Sequence, residues 1–274
     1  MFKRRLIVTI VGVPIVAAIV WFGAPWFTLL GIVWGIGAAN EFWSIIRRVK
    51  GISSLTYAGL LFTVLLIVSP HIEKIPHMEG LEPAPLFLTA AAVFTLVMLL
   101  AKKEKEHAFF GWAWTMAGII YIGWLLSYMV ALRYIEDGRG WVFLAILCTF
   151  ASDIFAYLTG TYFGKHKMAP YVSPKKSWEG SAGGLTGAIV LSVLVVYFFD
   201  LPLTYWQAVL IGALISAAGQ CGDLVKSLFK RNMTVKDSGN VLPGHGGFLD
   251  RLDSIIFGGI VVYYFAMFVM SGSR

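Results

Sequence analysis

Long apolar runs recur along the whole chain, and short polar stretches separate them. An apolar helix of about 20 residues crosses a ~30 Å hydrocarbon core. The runs also lack the strict alternation of a membrane barrel. The pattern therefore predicts an all-α polytopic membrane protein. We predict about nine transmembrane helices, near residues 6–23, 25–46, 52–70, 85–101, 109–132, 141–163, 180–199, 204–224 and 254–271.

These spans divide into two predicted regions. Residues 1–140 hold the first five spans, and residues 141–274 hold the last four spans with two polar loops between them. Composition agrees with a membrane protein, since 58% of the residues are hydrophobic and only 14% are charged. A soluble domain has roughly 25% charged residues. The two cysteines, Cys148 and Cys221, lie within apolar runs and offer neither a disulfide framework nor a metal-binding spacing.

Lysine and arginine residues are distributed unevenly between the two sides of the predicted membrane. With a cytoplasmic N-terminus, 18 of the 22 lysine and arginine residues fall on the inner side. The four on the outer side are Lys74, Arg133, Arg139 and Arg274. The positive-inside rule therefore predicts a cytoplasmic N-terminus and a C-terminus on the opposite side. The basic inner face would attract anions, either lipid headgroups or a soluble polyanion.

The polar segment, residues 227–253, lies between the last two spans and reads SLFKRNMTVKDSGNVLPGHGGFLDRLD. Roughly a third of it is ionisable, which is expensive between two membrane spans unless the charges serve a site. Its glycines and proline exclude one straight helix through its middle: Gly239, Pro243, Gly244, Gly246 and Gly247. We therefore interpret this segment as a functional site.

Three carboxylates near or within the predicted spans are candidate metal ligands. Asp153 lies in the sixth span, Asp223 ends the eighth, and Asp250 follows 27 residues later. Mg²⁺ commonly takes one or two carboxylates together with water and substrate phosphates. Salt bridges are the alternative, from Asp223 to Lys226 or from Asp250 to Arg251.

The loop before the seventh span contains Ser173-Pro-Lys175-Lys176-Ser177. Its hydroxyl groups, ammonium groups and free backbone N–H donors suit phosphate oxygens. Ser177 is also a candidate N-cap of the following helix, and both roles can hold at once. Glu41 is another carboxylate within a span, and it could orient a base from the loops or stabilise helix packing.

The polar segment resembles the signature of phosphatidate cytidylyltransferases, also called CDP-diacylglycerol synthases. The family pattern is matched by Ser227, Lys230, Arg231, Lys236, Asp237, Gly239, Pro243, His245, Gly246, Gly247, Asp250, Arg251 and Asp253. The resemblance extends to Asp153, to residues 173–180 and to residues 220–223, so it covers roughly the C-terminal half. The N-terminal spans match only in character, apart from Glu41.

This resemblance implies a reaction in which CTP and phosphatidate give CDP-diacylglycerol and pyrophosphate. It also implies Mg²⁺ as cofactor, K⁺ as a candidate second cation, a homodimer, and no nucleic-acid partner. The expected location is the inner or plasma membrane of a prokaryotic cell, with the active site facing the cytoplasm.

The resemblance also assigns expected roles to individual residues. The expected catalytic residues are Asp223, Lys226, Asp250 and Asp253, and the expected metal ligands are Asp153, Asp223 and Asp250. The expected substrate-binding residues are Ser173, Lys175, Lys176, Ser177, Lys230, Arg231, Lys236, Asp237, His245, Gly246, Gly247 and Arg251.

Two alternative functions stay open from the sequence. A CTP-dependent lipid-alcohol kinase would also need carboxylates, a metal ion and basic residues, but it would release CDP in place of pyrophosphate. A transporter for an anionic solute is a candidate from another class. Against the transporter, the chain shows no internal repeat, and its polar residues cluster on one side instead of near the midplane.

Overall fold

Helices make up most of the protein in the computed structural model, which describes residues 2–75, 82–101, 106–239 and 246–272. The helices are α1 Phe2–Phe22, α2 Trp26–Lys50, α3 Thr56–Ile72, α4 Pro83–Leu100, α5 Ala108–Gly118, α6 Leu125–Tyr134, α7 Gly138–Phe163, α8 Trp178–Phe198, α9 Tyr205–Asn232 and α10 Leu249–Gly272. A π-helical stretch, Ile119–Trp124, joins α5 to α6 in one continuous rod. An antiparallel hairpin, β1 Lys167–Ala169 and β2 Ser173–Ser177, precedes α8.

Each predicted apolar run falls on a helix. Seven of the described helical rods are long and apolar enough to cross a membrane. Those rods are α2, α4, α5 with α6, α7, α8, α9 and α10. Gly12–Phe22 of α1 and Thr56–Ile72 of α3 are shorter apolar helices. The prediction of an all-α polytopic membrane protein is confirmed, while the count of nine spans and their orientation stay predictions.

Two helices extend further than their apolar runs indicated. The eighth run ends near residue 224, but α9 continues to Asn232. The last run begins near residue 254, but α10 begins at Leu249. Both ends of the polar segment are therefore helical, and its charged residues there occupy defined positions on a helix surface.

The chain divides into two compact units. The first comprises Met1–Tyr134 with Met233–Asp250, and the second comprises Ile135–Asn232 with Arg251–Arg274. The central part of the polar segment thus belongs to the first unit. The predicted functional division after residue 140 stays a prediction.

In the first unit, α2 packs against α3 and against the rod formed by α5 and α6. Trp43 of α2 is fully buried, and its indole Nε1 donates a hydrogen bond to the Trp114 carbonyl oxygen at 3.0 Å. A β-carbon at Gly59 of α3 would lie 2.4 Å from the Trp43 ring. The small residue therefore allows α3 to approach α2 closely.

In the second unit, α7 packs along α8, and α9 packs against both. A β-carbon at Gly184 of α8 would lie 2.8 Å from the Ser152 carbonyl oxygen of α7. The buried hydroxyl groups of Ser152 and Ser216 lie 2.8 Å apart and link α7 to α9. This packing fixes the part of α7 that carries Asp153, the next residue along the chain.

Candidate functional site

Five ionisable side chains of the second unit form a carboxylate–lysine cluster: Asp153, Lys176, Asp223, Lys226 and Asp253. The Lys226 Nζ lies 3.0 Å from Asp223 Oδ1 and 2.5 Å from Asp253 Oδ2. The Lys176 Nζ lies 2.7 Å from Asp223 Oδ2. Asp153 interacts electrostatically with the other four side chains. The structure thus brings together four residues from the predicted catalytic and metal-binding sets with one predicted phosphate-binding lysine.

The local sequence explains how the carboxylate–lysine cluster forms. Asp223 and Lys226 are three residues apart on α9, so they share one helix face. Asp253 reaches them from α10 because Gly222 leaves room, since a β-carbon there would lie 2.5 Å from the Asp253 carbonyl oxygen. Lys176 comes from β2 and also donates to the Gln220 carbonyl oxygen at 3.3 Å.

The charges of the carboxylate–lysine cluster do not balance. Three carboxylates face two ammonium groups, which leaves one formal negative charge. The Lys226 and Asp253 side chains are only 11% and 6% exposed, whereas the Asp223 side chain is 31% exposed. Removing one partner of such a buried pair leaves an uncompensated charge, which is strongly destabilising. The excess negative charge and the accessibility of Asp223 favour the binding of a cation.

The donor set fits Mg²⁺ on chemical grounds, because hard cations prefer carboxylate oxygens. Both Asp223 oxygens contact lysine ammonium groups, so a cation would compete with Lys176 and Lys226 for them. Among the described residues, no group of three or more His, Cys, Asp or Glu side chains could hold a metal ion. A Mg²⁺ ion bound here would therefore complete its coordination with water and substrate phosphates.

A second polar arrangement, in the first unit, surrounds the start of α10. The Asp250 Oδ2 accepts hydrogen bonds from Ser238 N at 3.0 Å, from Ser238 Oγ at 2.8 Å and from Gly247 N at 3.3 Å. Asp250 also lies in the first turn of α10, where the helix dipole favours a negative charge. The carboxylate is therefore held by the backbone on both sides of residues 240–245.

Glu41 of α2 completes this arrangement. Its carboxylate is buried and accepts hydrogen bonds from Phe248 N and Leu249 N, both at 3.0 Å. The first N–H groups of a helix lack partners within the helix, so Glu41 caps α10 from another helix. Sequence reasoning left its role open between orienting a loop residue and helix packing. A contact across 208 residues of chain leaves no local sequence signal.

The predicted phosphate-binding loop forms the β hairpin. Ser177 is the N-cap of α8, since its Oγ accepts from Gly180 N at 3.1 Å, so the N-cap interpretation is confirmed. Ser173 and the exposed Lys175 lie on β2. The Arg231 Nε donates to the Val172 carbonyl oxygen at 3.3 Å and so contacts the loop between the two strands.

The other predicted site residues are distributed along the polar segment. Lys230 is a half-buried residue of α9, and Lys236 and Asp237 are exposed in the loop after it. Gly246 and Gly247 are separated from α10 by Phe248 alone, and Arg251 is exposed in the first turn of that helix. The predicted His245 lies outside the described residues.

Sequence reasoning missed the contribution of Glu179. This residue of the first turn of α8 accepts hydrogen bonds from Lys165 N and His166 N, each at 3.2 Å. Its Oε1 also lies 2.6 Å from His166 Nδ1. These contacts hold the residues just before β1 against α8, and β1 pairs with β2, the strand that carries Lys176.

Fold and site together describe an integral membrane protein in which three helices and a short strand bring carboxylates and lysines together. Residues 3–269 match the model of the cytidylyltransferase family. A phosphatidate cytidylyltransferase of Bacillus subtilis is 33% identical over 93% of this chain and 94% of its own length. The phosphatidate cytidylyltransferase of Staphylococcus haemolyticus is 31% identical over 93% of this chain and 95% of its own length. One from Mycobacterium bovis is 43% identical over 50% of this chain and 44% of its own length.

The match covers nearly the whole chain, including both helical units. The chain belongs to the cytidylyltransferase family, and the protein is accordingly a nucleotidyltransferase.

The buried position of Lys226 yields a stability prediction. We expect Lys226→Met to lower the free energy of unfolding by about 3–5 kcal/mol, because it leaves the Asp223 and Asp253 carboxylates without the ammonium group between them. The exposed Lys167→Met is the matched control and should change stability by less than about 0.5 kcal/mol. Thermal unfolding of the detergent-purified variants measures both. Equal stability of the two variants would contradict the ion pairing described above.

Proposed function

We propose that the chain is an integral-membrane phosphatidate cytidylyltransferase of phospholipid biosynthesis, which converts CTP and phosphatidate to CDP-diacylglycerol and pyrophosphate. The observation that carries the proposal is its similarity, over 93% of its length, to proteins with this name from two bacteria. The carboxylate–lysine cluster supplies charges of the kind that the reaction needs.

The reaction joins two anions. A phosphate oxygen of phosphatidate attacks the α-phosphorus of CTP, and the bond from that phosphorus to the bridging oxygen of the β-phosphate breaks. The electron pair leaves with pyrophosphate. Because the lipid phosphate is already ionised near pH 7, it needs positioning more than deprotonation. Cationic groups at the site would offset the repulsion between the reactants and stabilise the leaving group.

Asp223 and Asp250 are the proposed ligands of Mg²⁺ and of a second cation, for which K⁺ is the candidate, and Asp153 is a further ligand. Their carboxylate oxygens suit hard cations. A bound Mg²⁺ would supply charge neutralisation at the phosphate oxygens. Lys226 and Asp253 complete the proposed catalytic set by holding Asp223 within the carboxylate–lysine cluster.

The basic side chains are proposed to bind the phosphates of CTP and of the lipid, because ammonium and guanidinium groups make strong, charge-assisted hydrogen bonds to phosphate oxygens. They are Lys175, Lys176, Lys230, Arg231, Lys236 and Arg251. Ser173, Ser177, Asp237, His245, Gly246 and Gly247 complete the proposed substrate-binding set.

The basic bias of the predicted inner loops supports an active site that faces the cytoplasm. We further propose that the protein acts as a homodimer in the plasma or inner membrane of a prokaryotic cell, without a nucleic-acid partner.

The fate of a radioactive phosphate tests the proposed reaction. Purified protein in detergent would receive phosphatidate, Mg²⁺ and CTP labelled with ³²P at the α-phosphate. We expect the label to move into the chloroform-soluble lipid, and pyrophosphate to be released in equal amount. Label that stays in water as CDP would instead indicate the lipid-alcohol kinase. No consumption of CTP across lipids and cations would support the transporter.

A single substitution tests the proposed role of Asp250. We expect Asp250→Asn to lower kcat by at least about 100-fold, because an amide is a weak ligand for a hard cation and lacks the charge. The variant should remain folded in detergent. Asp200→Asn is the matched control: Asp200 is exposed in the turn after α8 with a φ of 49°, which asparagine also adopts readily. Turnover near wild type in Asp250→Asn would overturn the assignment.

A further inference from the structure

We infer that Glu41 is a positioning residue for the transfer reaction: it holds the chain on both sides of residues 240–245 in one fixed geometry and thereby orients Asp250. This inference rests on the role proposed for Asp250. Glu41 belongs to α2 and is far away in sequence from the polar segment.

The Glu41 carboxylate occupies a space that only glycines leave open. A β-carbon at Gly239 would lie 2.3 Å from Glu41 Oε1, and its three nearest atoms all belong to Glu41. A β-carbon at Gly247 would lie 2.2 Å from Glu41 Oε2. One carboxylate therefore touches the backbone before residue 240 and the backbone after residue 245. Neither glycine could be exchanged for a larger residue without displacing Glu41.

The face of α2 around Glu41 also holds Phe248. Trp34, Gly37 and Glu41 are spaced i, i+3 and i+7, which places them on one side of the helix. A β-carbon at Gly37 would lie 2.5 Å from the Phe248 ring, and Trp34 meets that ring edge-on with centroids 5.7 Å apart. Apolar packing thus fixes the Phe248 side chain, while Glu41 accepts the Phe248 N–H.

Ser238 connects Glu41 to Asp250. The Ser238 Oγ lies 3.1 Å from Glu41 Oε2 and 2.8 Å from Asp250 Oδ2. A hydroxyl group has one hydrogen, so the two carboxylates share a single donor. Displacement of Glu41 would therefore change the hydrogen bonding of Asp250. In these contacts the Glu41 carboxylate itself meets backbone N–H groups and Ser238 Oγ. This geometry makes Glu41 a positioning residue and not a catalytic one.

A double-mutant cycle between Glu41 and Gly239 tests the inference. Gly239→Ala pushes against Glu41, and we expect it to lower kcat by about 100-fold, which is the effect of a misplacement of about 1 Å in an active site. Glu41→Asp withdraws the carboxylate by one methylene group and should lower kcat by about tenfold. The kcat of the double variant should be at least about tenfold higher than that of Gly239→Ala alone, because the shorter side chain relieves the clash.

Three further measurements separate positioning from general stability. The KM values for CTP and phosphatidate should change less than about threefold across the cycle, and the thermal midpoints of the variants should stay close to that of the wild type. Gly59→Ala of α3 is the matched control, since its β-carbon would meet Trp43 of α2, the helix that also carries Glu41. Adding Glu41→Asp to Gly59→Ala should not raise the kcat of that control variant. Additive losses of kcat in the cycle, or an equal recovery in the Gly59→Ala background, would overturn the inference.

A second variant decides the matter if Gly239→Ala does not accumulate as folded protein. Glu41→Gln keeps the shape of the side chain but turns one acceptor oxygen into an amide donor that faces backbone N–H groups. A loss of kcat of about tenfold or more in protein that remains folded at the assay temperature supports the inference, and wild-type kcat contradicts it. An active Asp250→Asn variant would remove the proposed role of Asp250 but would leave the coupling between Glu41 and Gly239 measurable.

Discussion

The ammonium group of Lys226 between the carboxylates of Asp223 and Asp253 is the interaction on which the carboxylate–lysine cluster depends. It joins α9 to α10 with two short ion pairs, and Gly222 lets the two helices approach closely enough for both. Buried ion pairs are weak sources of stability but strict constraints on geometry, because each partner left alone is costly. The cluster therefore holds its carboxylates in fixed positions and keeps one negative charge in excess.

In the first unit, hydrogen bonds instead of ion pairs hold the carboxylates in position. Asp250 Oδ2 and both carboxylate oxygens of Glu41 accept hydrogen bonds from backbone N–H groups and from one serine hydroxyl. Such donors fix a carboxylate without neutralising its charge. In the proposed mechanism, fixed negative charges would hold cations and positive charges would bind the phosphates. Asp250 is the proposed source of the negative charge, and the lysines of α9 and of the β hairpin are the proposed source of the positive charges.

Hydrophobic periodicity predicted the helices well, because membrane spans must satisfy their backbone groups internally. The α9 and α10 helices extend past the predicted spans, because charged residues there lower the average hydropathy although Leu224, Leu228 and Leu252 continue the helical apolar pattern. The Asp223–Lys226 pair follows from its spacing on one helix. The contacts of Lys226 with Asp253 and of Glu41 with Leu249 depend on packing between distant segments, and no local pattern encodes them. The β hairpin was missed because its basic and proline-containing sequence is typical of a loop.

The most direct test of the proposed site is the binding of a divalent cation, measured apart from turnover. Mn²⁺ shares the preference of Mg²⁺ for carboxylate oxygens, and its electron paramagnetic resonance signal reports the free ion. We expect the detergent-purified protein to bind Mn²⁺ in the presence of CTP, Mg²⁺ to displace it, and Asp223→Asn to weaken binding by about tenfold or more. Lys167→Met should bind as the wild type does. Equal Mn²⁺ affinity in the wild type and in Asp223→Asn would contradict a cation site at the carboxylate–lysine cluster.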